Sequence, residues 1–590
     1  MSLAGLSTTP ALAGGPDAEG GALIDLMLAE QGDLTAVERF SQFHEGAVDP
    51  IQGRYYASLM PASPPGPGQQ LAFEVDLDRC SGCKACVTAC HSLNGLDEHE
   101  TWRDVGMILG GTPSLPMLQH VTTACHHCVD PACLSACPTE AYEKDPITGI
   151  VKHLDDQCFG CQYCSLACPY DVPKYHAAKG IVRKCDMCSD RLKVGEAPAC
   201  VQACPSEAIR IRVVDVADVV AASKVGAFLP SAPHPDYTRP TTVYTTARPM
   251  AGPIVAADHH HLKSEHAHLP LVAMLVLTQA AVGGFLIQAV ARVAGFGDAP
   301  ALSLHAILAF GIGQVGLAAA TLHLGRPHLA YRAILGIRHS WLSREVVAFG
   351  LFAAASGVFC GLSALQPGFL AVLPEFARSA VASALGLPPA GLGSFLNQVV
   401  EAAGRPWVAL GLALGATALG LAGVATSVMV YHVCRRPSWR FGVAGTKFFG
   451  TAVVLGLSSW IVAAGWASVL EGSGRSSPAL ASFCLLAALG AKLAFEAAQL
   501  LPIRDEDLTL EKRSALLILG PLRWIWRARL ALGILGGLVV ARSLGFIREP
   551  GSPLVPAFEQ SVGFVFLIGG ELAERALFFA AVAKPKMPGR

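Results

Sequence analysis

Sixteen cysteines between Cys80 and Cys204 are the residues whose type and spacing promise chemistry. They fall into four quartets: Cys80, Cys83, Cys86 and Cys90; Cys125, Cys128, Cys133 and Cys137; Cys158, Cys161, Cys164 and Cys168; Cys185, Cys188, Cys200 and Cys204. The first and third read C-x2-C-x2-C-x3-C, and Pro138, Pro169 and Pro205 follow three of the four last cysteines. That run is the ferredoxin pattern for cubane [4Fe–4S] clusters, so four quartets imply four clusters and a path for single electrons. In two-cluster ferredoxins the fourth cysteine of one run serves the other run's cluster, so the quartets are expected to work in pairs. The competing reading is zinc: C-x2-C pairs also build four-cysteine zinc sites, which would make the chain a zinc-scaffolded membrane transporter or sensor. Zinc ribbons use two separated pairs, whereas three cysteines at x2 spacing with a fourth after x3 favour the cubane. Disulfides fit poorly, because C-x2-C pairs are poor bridging partners in a chain of this size.

The elements that must position these cysteines are short. Leu71 to Leu77 reads as an opening strand, Ile150 to His153 as a strand after the Asp145-Pro146 turn, and Ile209 to Val214 as a closing strand with alternating apolar and basic residues. The expected organisation is an N-terminal extension over 1–70, with one helical stretch from Leu23 to Phe43; a four-cluster domain over 71–222, with an insertion at 91–124; a Pro-, Thr- and Tyr-rich, then His-rich linker over 223–268; and a membrane part over 269–590. The triplet His259–His261 is expected to be a solvated juxtamembrane segment rather than a metal site. The first basic residue is Arg39, so no positive n-region or twin arginine of an export signal is expected. A net charge of −1 without a basic stripe speaks against a nucleic-acid partner.

At 52% hydrophobic and 15% charged, the 590 residues suit a protein half of which lies in a lipid bilayer. Eight apolar segments are expected to span it, near 269–291, 301–323, 345–366, 406–432, 444–470, 478–501, 529–547 and 556–582. Each is long enough for a hydrocarbon core of about 30 Å. Seventeen Lys and Arg residues fall on the side of the even-numbered connections, among them Arg326, Arg332, Arg435, Arg436 and Lys584, against six on the other. The basic side is expected to be cytoplasmic, which puts the cysteine domain in the cytoplasm and the chain in the cytoplasmic (inner) membrane.

Polar groups in spans are costly and become candidates for function. Gln279 and Gln288 lie on span one, His305, Gln314 and His323 on span two, Lys492 and Glu496 one turn apart on span six, and Glu571, Glu574 and Arg575 on span eight. A quinone headgroup needs a hydrogen-bond donor and a proton acceptor beside an electron carrier, and a histidine can supply both. His323 and Arg326, at the mouth below the cysteine domain, are therefore the expected catalytic pair. Gln279, Arg344 and Glu571 are further candidates for holding quinone. Lys492 and Glu496 are expected to neutralise each other. A b-type haem needs two facing histidines within the spans; only His305, His323 and, at an end, His432 are available, and no haem is expected.

The runs CHHCVDPACLSACPTEAY, CFGCQYCSLACPYDVPKY and KCDMCSDRLKVGEAPACVQACPSEAI closely resemble the four-cluster iron–sulfur subunit of the dimethyl sulfoxide reductase family. The stretches TQAAVGGF, LHLGRPHLAYRAI with SWLSRE, and GGELAERALFF resemble that family's eight-span anchor subunit. The resemblance implies an α+β ferredoxin-like double [4Fe–4S] domain fused to an all-α eight-helix transmembrane bundle. It implies pairing of the first quartet with the fourth and the second with the third: Cys80, Cys83, Cys86 with Cys204; Cys185, Cys188, Cys200 with Cys90; Cys125, Cys128, Cys133 with Cys168; and Cys158, Cys161, Cys164 with Cys137. It also implies a separate molybdopterin-containing catalytic subunit, exchange with the quinone pool at the histidine of the H-L-G motif, here His323, and an anchor without haem. Two directions remain open: substrate-driven quinone reduction, as in cytoplasm-facing sulfite-oxidising complexes, and quinol-driven reduction of an S-oxide, N-oxide or oxyanion.

Overall fold

The computed structural model describes residues 53–588 apart from residues 99, 251, 296–298, 473–478, 543–552, 585 and most of 374–404, together with Asp25, Leu28, Ala29 and Gly32. The helix expected over Leu23–Phe43 otherwise falls outside the described residues.

The head is built around the cysteines. Strand β1 (Gln69–Asp76) precedes the first quartet. The insertion forms a hairpin, β2 (Asp104–Thr112) and β3 (Leu115–Thr123). Hairpins β4 (Tyr142–Lys144)–β5 (Val151–His153) and β6 (Lys174–His176)–β7 (Ile181–Arg183) follow the second and third quartets. Strand β8 (Ile209–Asp215) follows the fourth. β1 and β8 pair antiparallel, which brings the first and fourth quartets together across the whole domain. Leu71, Phe73 and Val75 lie opposite Val213, Ile211 and Ile209 towards the core, while on the outer face Glu74 meets Arg212 at 2.7 Å and Arg210 at 3.6 Å. The alternating pattern of the sequence thus becomes one buried and one ionic face. Residues 223–268, expected as a linker, contribute strands β9 (Val243–Thr245), parallel to β1, and β10 (Ile254–Ala256), antiparallel to β2. Thr238, Thr241 and Thr242 are buried, so this stretch is part of the head rather than a free tether.

Among the described residues eight long helices follow: α1 (Leu269–Val293), α2 (Ala299–Thr321), α3 (Trp341–Ala364), α4 (Pro406–His432), α5 (Phe441–Glu471), α6 (Ala479–Ala498), α7 (Arg523–Arg542) and α8 (Leu554–Ala580). Seven are long and apolar enough to cross a membrane. The exception is α8, whose apolar run is broken by Glu559, Glu571, Glu574 and Arg575; the last three are buried against other helices. Helix α1 is the centre of the bundle. Its Gly283 lies so near α5 that an added Cβ would stand 1.8 Å from the Ala452 carbonyl oxygen, the backbone-to-backbone approach that small residues allow between spanning helices.

Candidate functional site

Each cysteine run is curled by left-handed residues inside it: Gly82 and Lys84 in the first, His127 in the second, Gly160 and Gln162 in the third, Met187 and Cys188 in the fourth. Alternating backbone handedness turns successive N–H groups and side chains to one side, the nest geometry of anion and iron–sulfur sites. The last cysteine of a run sits one helical turn beyond the third, as in Cys86 and Cys90 on the helix Ala85–Leu93, and serves a different neighbourhood. One hollow is lined by Cys80, Cys83, Cys86 and Cys204. A second is lined by Cys125, Cys128, Cys133 and Cys168. Cys90 has Cys200 and Cys188 as charge neighbours, with Cys185 also beside it. Cys137 neighbours Cys158, Cys161 and Cys164. The fold thus groups cysteines of the first run with Cys204 and those of the second with Cys168, and sets Cys90 and Cys137 beside cysteines of the fourth and third runs.

The donor set fits a cluster. Burial pushes the Cys90 thiol up to about 12 and those of Cys168 and Cys200 up to about 11. Four thiolates this close together are tolerable only around a cationic core. Backbone donors already point at sulfur: the Ala141 N–H reaches Cys137 Sγ at 3.2 Å, and the Ala208 N–H reaches Cys204 Sγ at 3.2 Å. The two contacts come from equivalent turns, CPTEA and CPSEA, with Glu140 and Glu207 both left-handed.

The set containing Cys137 and Cys161 adjoins the membrane part. The Gly336 N–H donates to Pro138 O at 2.9 Å, Ser340 Oγ to Ala136 O at 2.7 Å, and Tyr163 Oη to Val430 O at 3.0 Å. His339 Nε2 lies 3.1 Å from Cys137 O. Gly160, Gly180 and Gly325 meet backbone to backbone. After α8 the chain returns to the head: Met587 is fully buried in the head's core, and Lys584 pairs with Glu265 at 3.1 Å and Asp171 at 3.4 Å.

Below that seam is a cavity of about 260 Å³. Its walls come from the head (Phe159, Cys161, Tyr163 and Leu166), from α1, from α2 and the turn after it with His323, from α3 with Glu345, and from α4 with Tyr431. It is mostly apolar, and its polar groups are few: His323, whose Nδ1 is buried without a hydrogen-bond partner, Glu345, which accepts from Ser427 Oγ, Thr321, and the two tyrosines. An apolar cavity with a few converging polar groups is the usual form of a small-molecule site.

Of the five residues expected at a quinone site, only His323 lines this cavity. Arg326 docks the head, its N–H donating to Phe159 O at 3.0 Å and its guanidinium to Asp155 O at 2.9 Å and Lys179 O at 3.2 Å. Arg344 lies over the Trp341 ring at 4.3 Å and donates to Ile337 and Arg338 carbonyls. Gln279 and Glu571 belong to a buried ionic network in which Arg575 donates to Gln279 Oε1 at 3.0 Å and Arg529 meets Glu571 at 3.0 Å. In that network Lys492 does not simply neutralise Glu496, which lies 3.8 Å away. Lys492 bonds to Glu571 and to Thr451 at 2.7 Å, while Arg529 holds Glu496 through two contacts of 2.8 Å. Sequence reasoning passed over Glu345, Tyr163 and Tyr431. Glu345 ends the SWLSRE stretch at the mouth of a span, and that position was the available signal.

Similarities to known proteins fall on these two halves. The 4Fe-4S dicluster domain family matches residues 117–214, and the DMSO reductase anchor subunit family (DmsC) matches residues 262–387. Over 156 residues the protein is 38% identical to the B subunit of the anaerobic dimethyl sulfoxide reductase of Haemophilus influenzae, a match covering 25% of this protein and 76% of that subunit. The chain belongs to the dimethyl sulfoxide reductase family. It is an iron–sulfur electron-transfer subunit fused to that family's membrane anchor. It is also similar to the thiosulfate reductase electron transfer subunit PhsB of Salmonella typhi, 37% identical over 147 residues covering 24% of this protein and 76% of the relative. The hydrogenase-2 operon protein HybA of Escherichia coli O157:H7 is 37% identical over 172 residues, 25% of this protein and 52% of the relative. The anchor match spans α1 to α3, the helices that supply His323 and Glu345 to the cavity.

Proposed function

We propose that this chain carries electrons one at a time through four [4Fe–4S] clusters between a molybdopterin-containing catalytic subunit and a quinone bound in the cavity below the head. The observation that carries the reading is that Cys161 lines the same cavity as His323 and Glu345. When bound, the clusters supply one-electron redox steps between two sites of two-electron chemistry. The mixed cysteine sets named above would hold them, and backbone N–H donors would support the thiolates. Quinone reduction or quinol oxidation also needs proton exchange. His323, which lines the cavity, and Glu345, held by Ser427, are the groups able to give or take those protons. Tyr163 and Tyr431 line the cavity, whose walls are mostly apolar.

Zinc scaffolding is the poorer fit. Three cysteines at x2 spacing with a fourth after x3 suit a cubane rather than the two separated pairs of a zinc ribbon. The head is assigned to the cytoplasmic side of the inner membrane. The basic connections carrying Arg326, Arg332, Arg435 and Arg436 all touch the head, and positive loops stay inside.

The test uses the complex in membranes. His323→Ala and Glu345→Gln are expected to abolish quinone-coupled turnover while iron content and electron exchange with a soluble viologen dye stay normal. Unchanged quinone turnover in both variants would remove the cavity from the pathway.

A further inference from the structure

The head contains a buried cation that neither the sequence motifs nor the cavity absorbs. Lys184 is 3% exposed and lies at the junction between the outer and inner pairs of cysteine sets. Its Nζ is 3.7 Å from Cys125 Sγ, donates to Cys185 O at 2.8 Å, and also donates to Val151 O. It lines the hollow of Cys125, Cys128, Cys133 and Cys168, while its chain neighbour Cys185 belongs to the other pair. Its charge neighbours are the sulfurs of Cys125, Cys133 and Cys185, with the Asp186 carboxylate beside them. Other cations near the wire differ. Arg103, 2% exposed, lies among Cys200, Cys86, Cys185 and Cys90 at the junction within the outer pair. Lys144 is only partly buried and bonds to the Cys128 and Val129 carbonyls. At the junction nearest the membrane, Cys133, Cys137 and Cys164 have the neutral phenol of Tyr142 among them, and the cations on that side are Arg326 at the head–anchor seam and the buried Arg436, which donates to Leu166 O at 3.0 Å.

Adding an electron to a cluster adds one negative charge and makes or breaks no bond. A fixed positive charge in van der Waals range of a ligating sulfur favours that reduced state, and burial keeps solvent from screening it. We propose that Lys184 is an electrostatic positioning residue of the wire: its buried charge raises the reduction potential of the cluster held by Cys125, Cys128, Cys133 and Cys168, and so sets the step between the outer and inner cluster pairs. This rests on the four-cluster reading above. It predicts a wire in which Lys184 and Arg103 stabilise the reduced states of the clusters they adjoin.

The test is an EPR-monitored redox titration of the purified full-length protein, with iron and acid-labile sulfide counted on the same sample. Lys184→Gln keeps N–H donors for the Val151 and Cys185 carbonyls and removes the charge. It is expected to retain all iron and to lower one cluster's reduction constant by more than tenfold, which is 59 mV for a one-electron couple. Lys184→Arg restores the charge and is expected to bring that potential back towards its original value. Full iron with unchanged potentials in Lys184→Gln would overturn the proposal and leave the four-cluster reading intact. Loss of iron from Lys184→Gln but not from Lys184→Arg would also overturn it, because the charge would then serve assembly. An unsubstituted protein without four clusters' worth of iron would instead overturn the four-cluster reading.

Discussion

Gly325 offers a direct way to separate the wire from the cavity. It follows the H-L motif and touches the head: a Cβ placed there would lie 2.1 Å from Gly180 O, 2.5 Å from its carbonyl carbon and 2.6 Å from its Cα. All three obstacles are backbone, so no side chain can swing aside. An ordinary carbon–oxygen contact is about 3.2 Å, so Gly325→Ala must push head and anchor apart by roughly 1 Å. The same shift strains the Arg326 N–H bond to Phe159 O and the guanidinium bonds to Asp155 and Lys179, which hold Cys158–Cys164 over the cavity. A misplacement of about 1 Å can cost on the order of 100-fold in rate. Gly325→Ala is therefore expected to lower quinone-coupled turnover by about 10- to 100-fold. Iron content and dye-linked electron exchange with the head should stay unchanged. Gly311 on α2, around which a Cβ would meet nothing within 4 Å, is the control, and Gly311→Ala should be neutral. Equal quinone turnover in the two variants would refute the argument that the electron leaves the head through this seam.

Other outcomes follow from the same geometry. Arg529 is fully buried between Glu496 and Glu571, so Arg529→Met should destabilise the bundle by about 3–5 kcal/mol, read as a lower thermal midpoint in detergent. Tyr163→Phe removes one bond to Val430 O and should cost about 1 kcal/mol of head docking, read as greater protease sensitivity between head and anchor. The Asp236 carboxyl is held below its ordinary value, first by its bond from His234 and further by Arg435 on the anchor. A depressed carboxylate contributes stability that is complete above its unfolded value of about 3.9 and disappears as pH falls through the lower folded value. Head–anchor contact should therefore be insensitive to this group from pH 5 upwards and loosen only in stronger acid, and Asp236→Asn should remove that acid-dependent part from a pH series of the same protease assay.

Much of the head was legible because its information is local. The cysteine runs carry their own turns, and β1 and β8 show their alternation in single stretches. The β2–β3 hairpin was not legible: DVGMILGGT lacks the alternation of a half-buried strand, and Gly110 and Gly111 lie within the pairing. The linker over 223–268 looked free because its threonines are polar, yet Thr241 Oγ1 donates to His126 O at 2.7 Å and is buried with it. In the membrane part, helix positions followed from apolar length, but partners did not. Lys492 and Glu496 looked like a self-contained pair on one helix, and each found a closer partner on another. The cavity was least legible, since its walls are gathered from residues 159–166, 271–274, 317–350 and 430–431, and only folding sets Glu345 and Tyr431 beside His323.

The central claim is that quinone binds where Cys161, His323 and Glu345 share a cavity, and a structure of the complex at high resolution with a bound quinone tests it most directly. The account predicts the headgroup within that cavity, with one oxygen in hydrogen-bond range of His323 and its ring against Tyr163 or Tyr431. A quinone found instead beside Gln279 and Glu571, or on the outer surface of the bundle with the cavity closed, would contradict it.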